Sequence, residues 1–340
     1  MSKLLESIKV GTKEVKNRIV MPPMCMYSAS KDGKVRYFHR AHYTARAMGG
    51  VGMIVVEATA VEPRGRITDF DLGIWEDSQI KGHSKLVKEC AKFGTTMVLQ
   101  IAHAGRKSEC LSNKSVGPDD RRFSQHHNKP HALSKSEIKD IVKKFIKAGK
   151  RAMIAGYDMV EIHAAHGYLI HEFLSPLTNS RDDKYGGSFE NRARLLCQIM
   201  EGLNKEDVSF GVRISADEWE KGGFDIESSK KLSKILESFN AKFIHVSAGG
   251  NHLKPTFMPK IKPFYQCGYA KEIKSVSSIP VIAVGLINSV EDGDKLIEEV
   301  VCDMVAYGRE LLRNPNLAHF AAVKFNQQKS ILKQYQRAFL

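Results

Sequence analysis

Residues 159–192 read MVEIHAAHGYLIHEFLSPLTNSRDDKYGGSFENR, and the fold can be read outward from them. The stretch opens on an apolar run, Met159 to Ile162, interrupted by Glu161, and is followed by His163, His166 and Tyr168. So short an apolar run, with no helical period, suits a buried strand, and Gly167 breaks it. Two imidazoles and a phenol therefore stand where a strand gives way to a loop. At the C-terminal ends of parallel strands such loops converge on one opening. Neutral imidazoles there can donate N–H to a carbonyl or nitro oxygen. The same pair can ligate a metal, or both can be satisfied polar groups in a loop. Two His and a Tyr so close together at a strand end favour a functional role.

Seven more apolar, β-rich runs accompany this one, at 18–24, 53–60, 96–102, 210–215, 243–247, 281–284 and 304–307. Helical patterns separate most of them, at 82–93, 138–154, 189–202, 228–239, 268–275, 290–300 and 316–325. In the second of these, Ile138, Ile141, Val142, Phe145 and Ala152 share a face, and Ser134 with Glu137 reads as its capping box. Eight strands alternating with helices predict a closed parallel α/β barrel, a single domain over 1–340. A doubly wound open sheet would want a glycine-rich turn after its first strand. Here Pro22-Pro23-Met24-Cys25-Met26-Tyr27 follows instead, and Gly49-Gly50-Val51-Gly52 precedes a strand. The most polar segment, 111–133, carries Asp119-Asp120-Arg121-Arg122 and His126-His127. It reads as a loop excursion, a lid or a disordered loop, with its histidine pair solvated.

Composition narrows the classes. A 340-residue chain with 26% charged and 42% hydrophobic residues is that of a soluble globular protein. No apolar run approaches the ~20 residues that cross a bilayer, and the N-terminus is too polar for a signal peptide, so a cytoplasmic location is expected. The net charge of +14 comes with no nucleic-acid-binding pattern. Scattered lysines read as solvated helix faces, and their field would help gather phosphorylated cofactors. Cys25, Cys90, Cys110, Cys197, Cys267 and Cys302 form no C-x-x-C and are expected as free thiols.

The strand ends list what the opening offers. They supply Met24, Cys25 and Tyr27; Ala58; Gln100, His103, Arg106 and Lys107; Arg213; Ser247-Ala248-Gly249-Gly250; Gly285; and Gly308-Arg309. Loops after the seventh and eighth strands of such barrels bind phosphate through backbone N–H groups, and Arg309 adds a bidentate donor. Gln100 suits the edge of a pyrimidine-like ring. A buried Arg213 needs an anion, either a reduced flavin or a carboxylate such as Asp217.

These residues coincide with a known pattern. The stretches are Lys16-Asn17-Arg18-Ile19-Val20-Met21, Pro23-Met24-Cys25-Met26-Tyr27, Val56-Glu57-Ala58, Gly65-Arg66-Ile67-Thr68 and Asp71-Leu72-Gly73-Ile74-Trp75. They continue with Gln100 to Lys107, the opening stretch up to Arg192, and Gly308-Arg309-Glu310-Leu311-Leu312. From about Asn17 to Arg337 the chain resembles the Old Yellow Enzyme family of FMN-dependent ene-reductases, in its short bacterial, thermophilic-type branch. The resemblance implies a (β/α)8 TIM barrel with FMN in its mouth. It places Pro22, Pro23, Met24, Cys25, Ala58, Gln100, Arg213, Gly285, Gly308 and Arg309 around the cofactor. It makes His163 and His166 the hydrogen-bond donors to the substrate, Tyr168 the proton donor and Tyr27 a further substrate contact. It implies that NADPH or NADH reduces the flavin, which then delivers hydride to the β-carbon of an enone, nitroalkene or similar activated alkene. Arg337, in a tail at 326–340, would reach a neighbouring subunit's site, in a homodimer or homotetramer. No metal is expected. The alternatives are a metal-dependent barrel hydrolase using His163 and His166, and a non-catalytic barrel that binds a phosphorylated ligand.

Overall fold

Pro22 and Pro23 have no N–H to offer a sheet, so the first barrel strand ends at Met21 and not at residue 24 as expected. The computed structural model describes residues 2–110 and 114–339; residues 111–113 of the expected excursion lie outside the described residues. The strands are β1 (Ile19–Met21), β2 (Met53–Ala60), β3 (Thr96–Ala102), β4 (Met159–Ala164), β5 (Phe210–Ser215), β6 (Ile244–Ser247), β7 (Val281–Val284) and β8 (Met304–Ala306). Each pairs in parallel with its neighbours in chain order. The ring closes where Ala306 lies beside Val20 and Val20 beside Met53. This is a (β/α)8 TIM barrel. Strands covered on both faces read as continuous apolar runs, and all eight residues of β2 are buried.

The helices outside the ring are α1 (Tyr37–Met48), α2 (Ile80–Ala91), α3 (Lys135–Ala155), α4 (Phe189–Lys205), α5 (Ile226–Ser238), α6 (Cys267–Val276), α7 (Val290–Glu298) and α8 (Leu317–Lys324). Ser134 and Glu137 form the expected capping box of α3. Helix α1 was not legible because its buried face is made of His39, His42, Tyr43, Arg46 and Ala47, too polar to show a period. Two short catalytic-face helices, Leu169–Leu174 and Arg309–Arg313, also lie where a loop was expected.

Alternation along the strands stratifies the interior. Val20, Met53, Val55, Val98, Met159, Phe243, Ile282, Met304 and Ala306 form one apolar cluster. An antiparallel hairpin, Ile8–Val10 with Lys13–Val15, adds Val10 and Val15 to it and plugs the N-terminal end of the barrel. Two residues further along the same strands stand Glu161, Gln100 and His245, all buried. Gln100 Nε2 donates to Glu161 Oε1 at 2.7 Å, and His245 Nδ1 lies 2.8 Å from Glu161 Oε2. Gly211 lies beside Glu161 on β5, and a methyl there would meet the Phe243 ring at 2.4 Å. One step higher, His163, Arg213 and Ser247 line the mouth. The interior therefore changes from oily to polar over a few residues of each strand.

The described part of the excursion is held by specific bonds. Val116–Gly117 pairs with His131–Ala132. Arg121 donates to the Leu177 carbonyl at 2.6 Å, and Asp119 accepts from Ser180 at 2.9 Å. His127 packs edge-on to Phe123 and bonds Ser124, so the His126-His127 pair converges on no common ligand site.

Candidate active site

A cavity of about 320 Å³ opens at the C-terminal ends of the strands. Its wall includes Pro22, Pro23, Met24, His166, Arg213, Gly285, Gly308 and Arg309, eight of the residues singled out from sequence. Gly285 has φ +145°, a conformation that side chains disfavour. A methyl on Gly308 would touch nothing closer than 3.6 Å, so backbone, not side chains, faces the space. Arg309 is exposed at the rim. Tyr265, Gln266 and Asn288 also line the wall and carried no sequence signal. Gln266 Oε1 accepts from the Ala248 N–H at 2.6 Å and so shapes the loop after β6.

Arg213 is buried in that wall. Its Nη2 donates to Ser247 Oγ at 3.1 Å, while its Nε has no partner among the described residues. The salt bridge to Asp217 considered from sequence is not formed; Asp217 instead accepts from the Trp219 N–H. A buried guanidinium in salt-bridge contact with no carboxylate among the described residues, though Glu161 acts on it at longer range, calls for an anionic or carbonyl-bearing ligand.

His163 and His166 meet edge to face, with ring centroids 5.2 Å apart and His163 Nε2 at 3.5 Å from His166 Nδ1. Burial, reinforced by Arg213, holds both well below the ordinary imidazole pKa, so both rings are neutral. Tyr168 stands edge to face against His163 at 4.9 Å. Burial raises its phenol well above the usual value, which keeps the proton on Oη.

His166 adopts φ +58°, unusual for a side-chain-bearing residue. It is held at both peptide ends: its N–H donates to Ser215 Oγ at 2.9 Å, and its carbonyl accepts from Lys107 Nζ at 2.9 Å. Lys107 Nζ also donates to the Gly250 carbonyl at 3.0 Å and lies 5.0 Å from the Tyr168 ring centroid. Burial, then the charge of Arg106, lowers its pKa to about 8. Lys107 thus joins the loops after β4 and β6, while Phe123 from the excursion covers its ammonium at 4.6 Å.

The remaining expected residues are distributed more loosely. Tyr27 lies on the rim, 49% exposed. Cys25, Ala58 and Gln100 do not form the cavity wall. Cys25 is half-buried, and burial with Asp71 and Glu57 raises its thiol pKa, so it is protonated. In β2 the register slips between Val56 and Thr59; Glu57 turns to Tyr43 of α1, and by alternation Ala58 faces inward. Gln100 gives its amide nitrogen to Glu161. His103 points away from the mouth to Glu62, at 2.8 Å. Arg337 is exposed in the turn Gln336–Phe339 and does not reach this chain's own cavity. Among the described residues no three His, Cys, Asp or Glu side chains converge on a metal position.

A barrel mouth with an unpaired internal arginine, a glycine-walled recess and neutral histidine donors defines a flavin-dependent oxidoreductase. The chain belongs to the NADH:flavin oxidoreductase / NADH oxidase family, whose sequence model matches residues 3–328. It is 42% identical over 341 residues to an NADPH dehydrogenase of Clostridium acetobutylicum, covering 99% of each chain. It is likewise 42% identical over 341 residues to an NADPH dehydrogenase of Listeria monocytogenes, covering 100% of each. Among solved structures, morphinone reductase superposes with a TM-score of 0.81 at 25% identity, covering 94% of this chain and 89% of that one. FMN is the cofactor of this family, and the residues present fit it. Arg213 Nε awaits an acceptor, and Gly285, Gly308 and Arg309 leave room and charge for a phosphate. The chain is an FMN- and NAD(P)H-dependent oxidoreductase.

Proposed function

We propose that the enzyme reduces the C=C bond of an alkene activated by a carbonyl or nitro group, with NADPH as electron source. The observation that carries this reading is the facing pair of neutral imidazole nitrogens, 3.5 Å apart beside Tyr168. An oxygen about 2.9 Å from both nitrogens would accept from each. Charge that develops on that oxygen is stabilised by donors already in place. Tyr168 Oη, kept protonated by burial, gives its proton to the carbon next to the activating group and is reloaded from solvent. FMN, when bound, supplies the hydride that NADPH has donated.

Tyr27 at the rim contacts the substrate in this reading. Arg337, which cannot serve its own cavity, would serve that of a second copy in a homodimer or homotetramer. Anaerobic titration of the yellow protein with NADPH and with NADH, followed by a panel of enones, nitroalkenes and maleimides, tests the proposal. Reduction by NADPH with reoxidation by at least one activated alkene is expected. A flavin that NADPH reduces but that no activated alkene reoxidises contradicts it.

A further inference from the structure

Tyr168 takes its direction from the turn that precedes it, and that turn does not hold itself. His166 and Gly167 are both left-handed, at φ +58° and +73°, and the Tyr168 N–H closes the turn on the Ala165 carbonyl at 3.2 Å. Left-handed backbone at two successive central residues suits glycine, asparagine or aspartate, and His166 is none of these. Its conformation depends on contacts from outside. On the N–H side Ser215 and His171 supply them, accepting from His166 and Gly167 at 2.9 Å each. On the carbonyl side it is Lys107, whose ammonium donates to His166 and Gly250 at 2.9 and 3.0 Å. That ammonium lies between two rings, 5.0 Å from the centroid of Tyr168 and 4.6 Å from that of Phe123. Phe123 also lies 5.6 Å from the guanidinium of Arg106, which donates to the Asn251 carbonyl at 2.7 Å. One half-buried ring of the excursion thus covers both cations that tie the loop after β3 to the loop after β6. The excursion is anchored at both feet, because Arg181 donates to the Pro118 carbonyl at 2.9 Å and to the Leu133 carbonyl at 2.6 Å. Near its tip, His127 Nε2 lies 3.5 Å from Glu109 Oε1, two residues beyond Lys107.

We propose that residues 114–133 are a positioning element for the mouth: Phe123 seats the Lys107 ammonium on the His166 carbonyl, and Lys107 thereby fixes the turn that aims Tyr168. The proposal rests on the reading that Tyr168 delivers a proton to the substrate. A ring face attracts a cation and keeps water from it. With water in place of the ring, the ammonium has other acceptors, and its hold on two backbone carbonyls loosens. Lysine suits the task, because a compact charge on a flexible stem reaches two carbonyls and two rings that a planar guanidinium fork would not. The His166 peptide is then fixed at both ends, by Ser215 on its N–H and by Lys107 on its carbonyl. The excursion acts on the reaction through this one ammonium.

The test uses the FMN-loaded full-length enzyme, with stopped-flow measurement of each half-reaction and amide hydrogen exchange. Reduction is by NADPH, and reoxidation by the activated alkene that reacts fastest. Lys107→Met should slow reoxidation roughly 10–100-fold, the scale of a small misplacement, and speed exchange at Gly167 and Tyr168. Phe123→Leu keeps bulk but removes the ring face, and should slow reoxidation roughly 3–10-fold, while Phe123→Tyr should match wild type. Flavin reduction by NADPH, which does not use Tyr168, should change less than reoxidation in each variant. Both residues act through one ammonium, so the double variant Lys107→Met with Phe123→Leu should be no slower than Lys107→Met, within about twofold. Effects that multiply in the double variant, or Phe123→Tyr as slow as Phe123→Leu, would overturn the proposal. So would Lys107→Met with full FMN content and unchanged exchange at residues 167 and 168. If no activated alkene reoxidises the wild-type flavin, the exchange measurement still decides. Faster exchange in Lys107→Met that Phe123→Leu repeats and the double variant does not enlarge would uphold the clamp while removing the alkene reading.

Discussion

The two ends of the barrel interior are built from the same eight strands and could hardly differ more. At the N-terminal end the inward residues are Val, Met, Phe, Ile and Ala, closed over by a hairpin, with no polar side chain in the cluster. At the C-terminal end the inward residues are charged or hydrogen-bonding, and Arg213 Nε and His245 Nε2 are buried with no hydrogen-bond partner among the described residues. One end is finished by folding; the other is completed only by a ligand. Stability is concentrated where there is nothing to bind, so the mouth can tolerate unpaired donors.

That contrast can be broken experimentally. The largest effect should come at the mouth. Tyr168→Phe should slow reduction of the alkene by roughly 10²–10⁴-fold, as loss of a general acid does, while single-turnover reduction by NADPH stays within a few-fold. Equal slowing of both half-reactions would remove the proton-donor role. At the opposite end, Phe243→Ala should cost about 3–5 kcal/mol of unfolding free energy, because it empties a fully buried ring site. FMN content and substrate KM of the surviving folded enzyme should be unchanged; a specific loss of FMN affinity would show that the two ends are not separable. Arg213→Met should weaken FMN binding roughly 10–100-fold, measured by fluorescence on reconstitution, with little loss of thermal stability in the apoprotein. A large drop in apoprotein stability would mean that the arginine is structural.

A further effect concerns acid. His39, His83 and His171 are buried, and burial lowers each to about pKa 4. An unfolded chain takes up these protons near the ordinary value of 6.5, and the folded chain does not. Stability should therefore fall as pH drops from about 6.5 towards 4, with the sign set by the depressed folded-state values. The plug cluster has no titratable side chain, so hydrogen exchange at mildly acidic pH should rise first around residues 165–171 and last in the hairpin at 8–15. Uniform loss of protection would contradict the division.

How much was legible follows the same line. Seven of the eight strands lie within two residues of their expected bounds at either end, because parallel strands buried on both faces announce themselves as apolar runs. Helix α1 was invisible because imidazole and guanidinium groups interrupt its inward face. The hairpin at 8–15 was missed because Lys9, Lys13 and Glu14 mask only two inward valines. In the mouth, residue type and strand position identified His163, His166, Tyr168 and Arg213. Sequence could not reveal what His103 faces, since a strand-end histidine reads alike whether it points to Glu62 or to a ligand. Nor could it assign Ser247 its bond to His166, which spans 81 residues of chain. Tyr265, Gln266 and Asn288 lie in loops whose path depends on packing rather than on pattern.

The register slip in β2 carries a consequence for evolution of the rim. By turning Glu57 outward, it lets one carboxylate accept both the Tyr43 hydroxyl at 2.9 Å and the Met26 N–H at 3.1 Å. The segment bearing Cys25 and Tyr27 is thereby moored to β2 and, through Glu57, to Tyr43 of α1. Drift on the outer layer near Tyr43 can retune the entrance without altering a single group that meets the ligand.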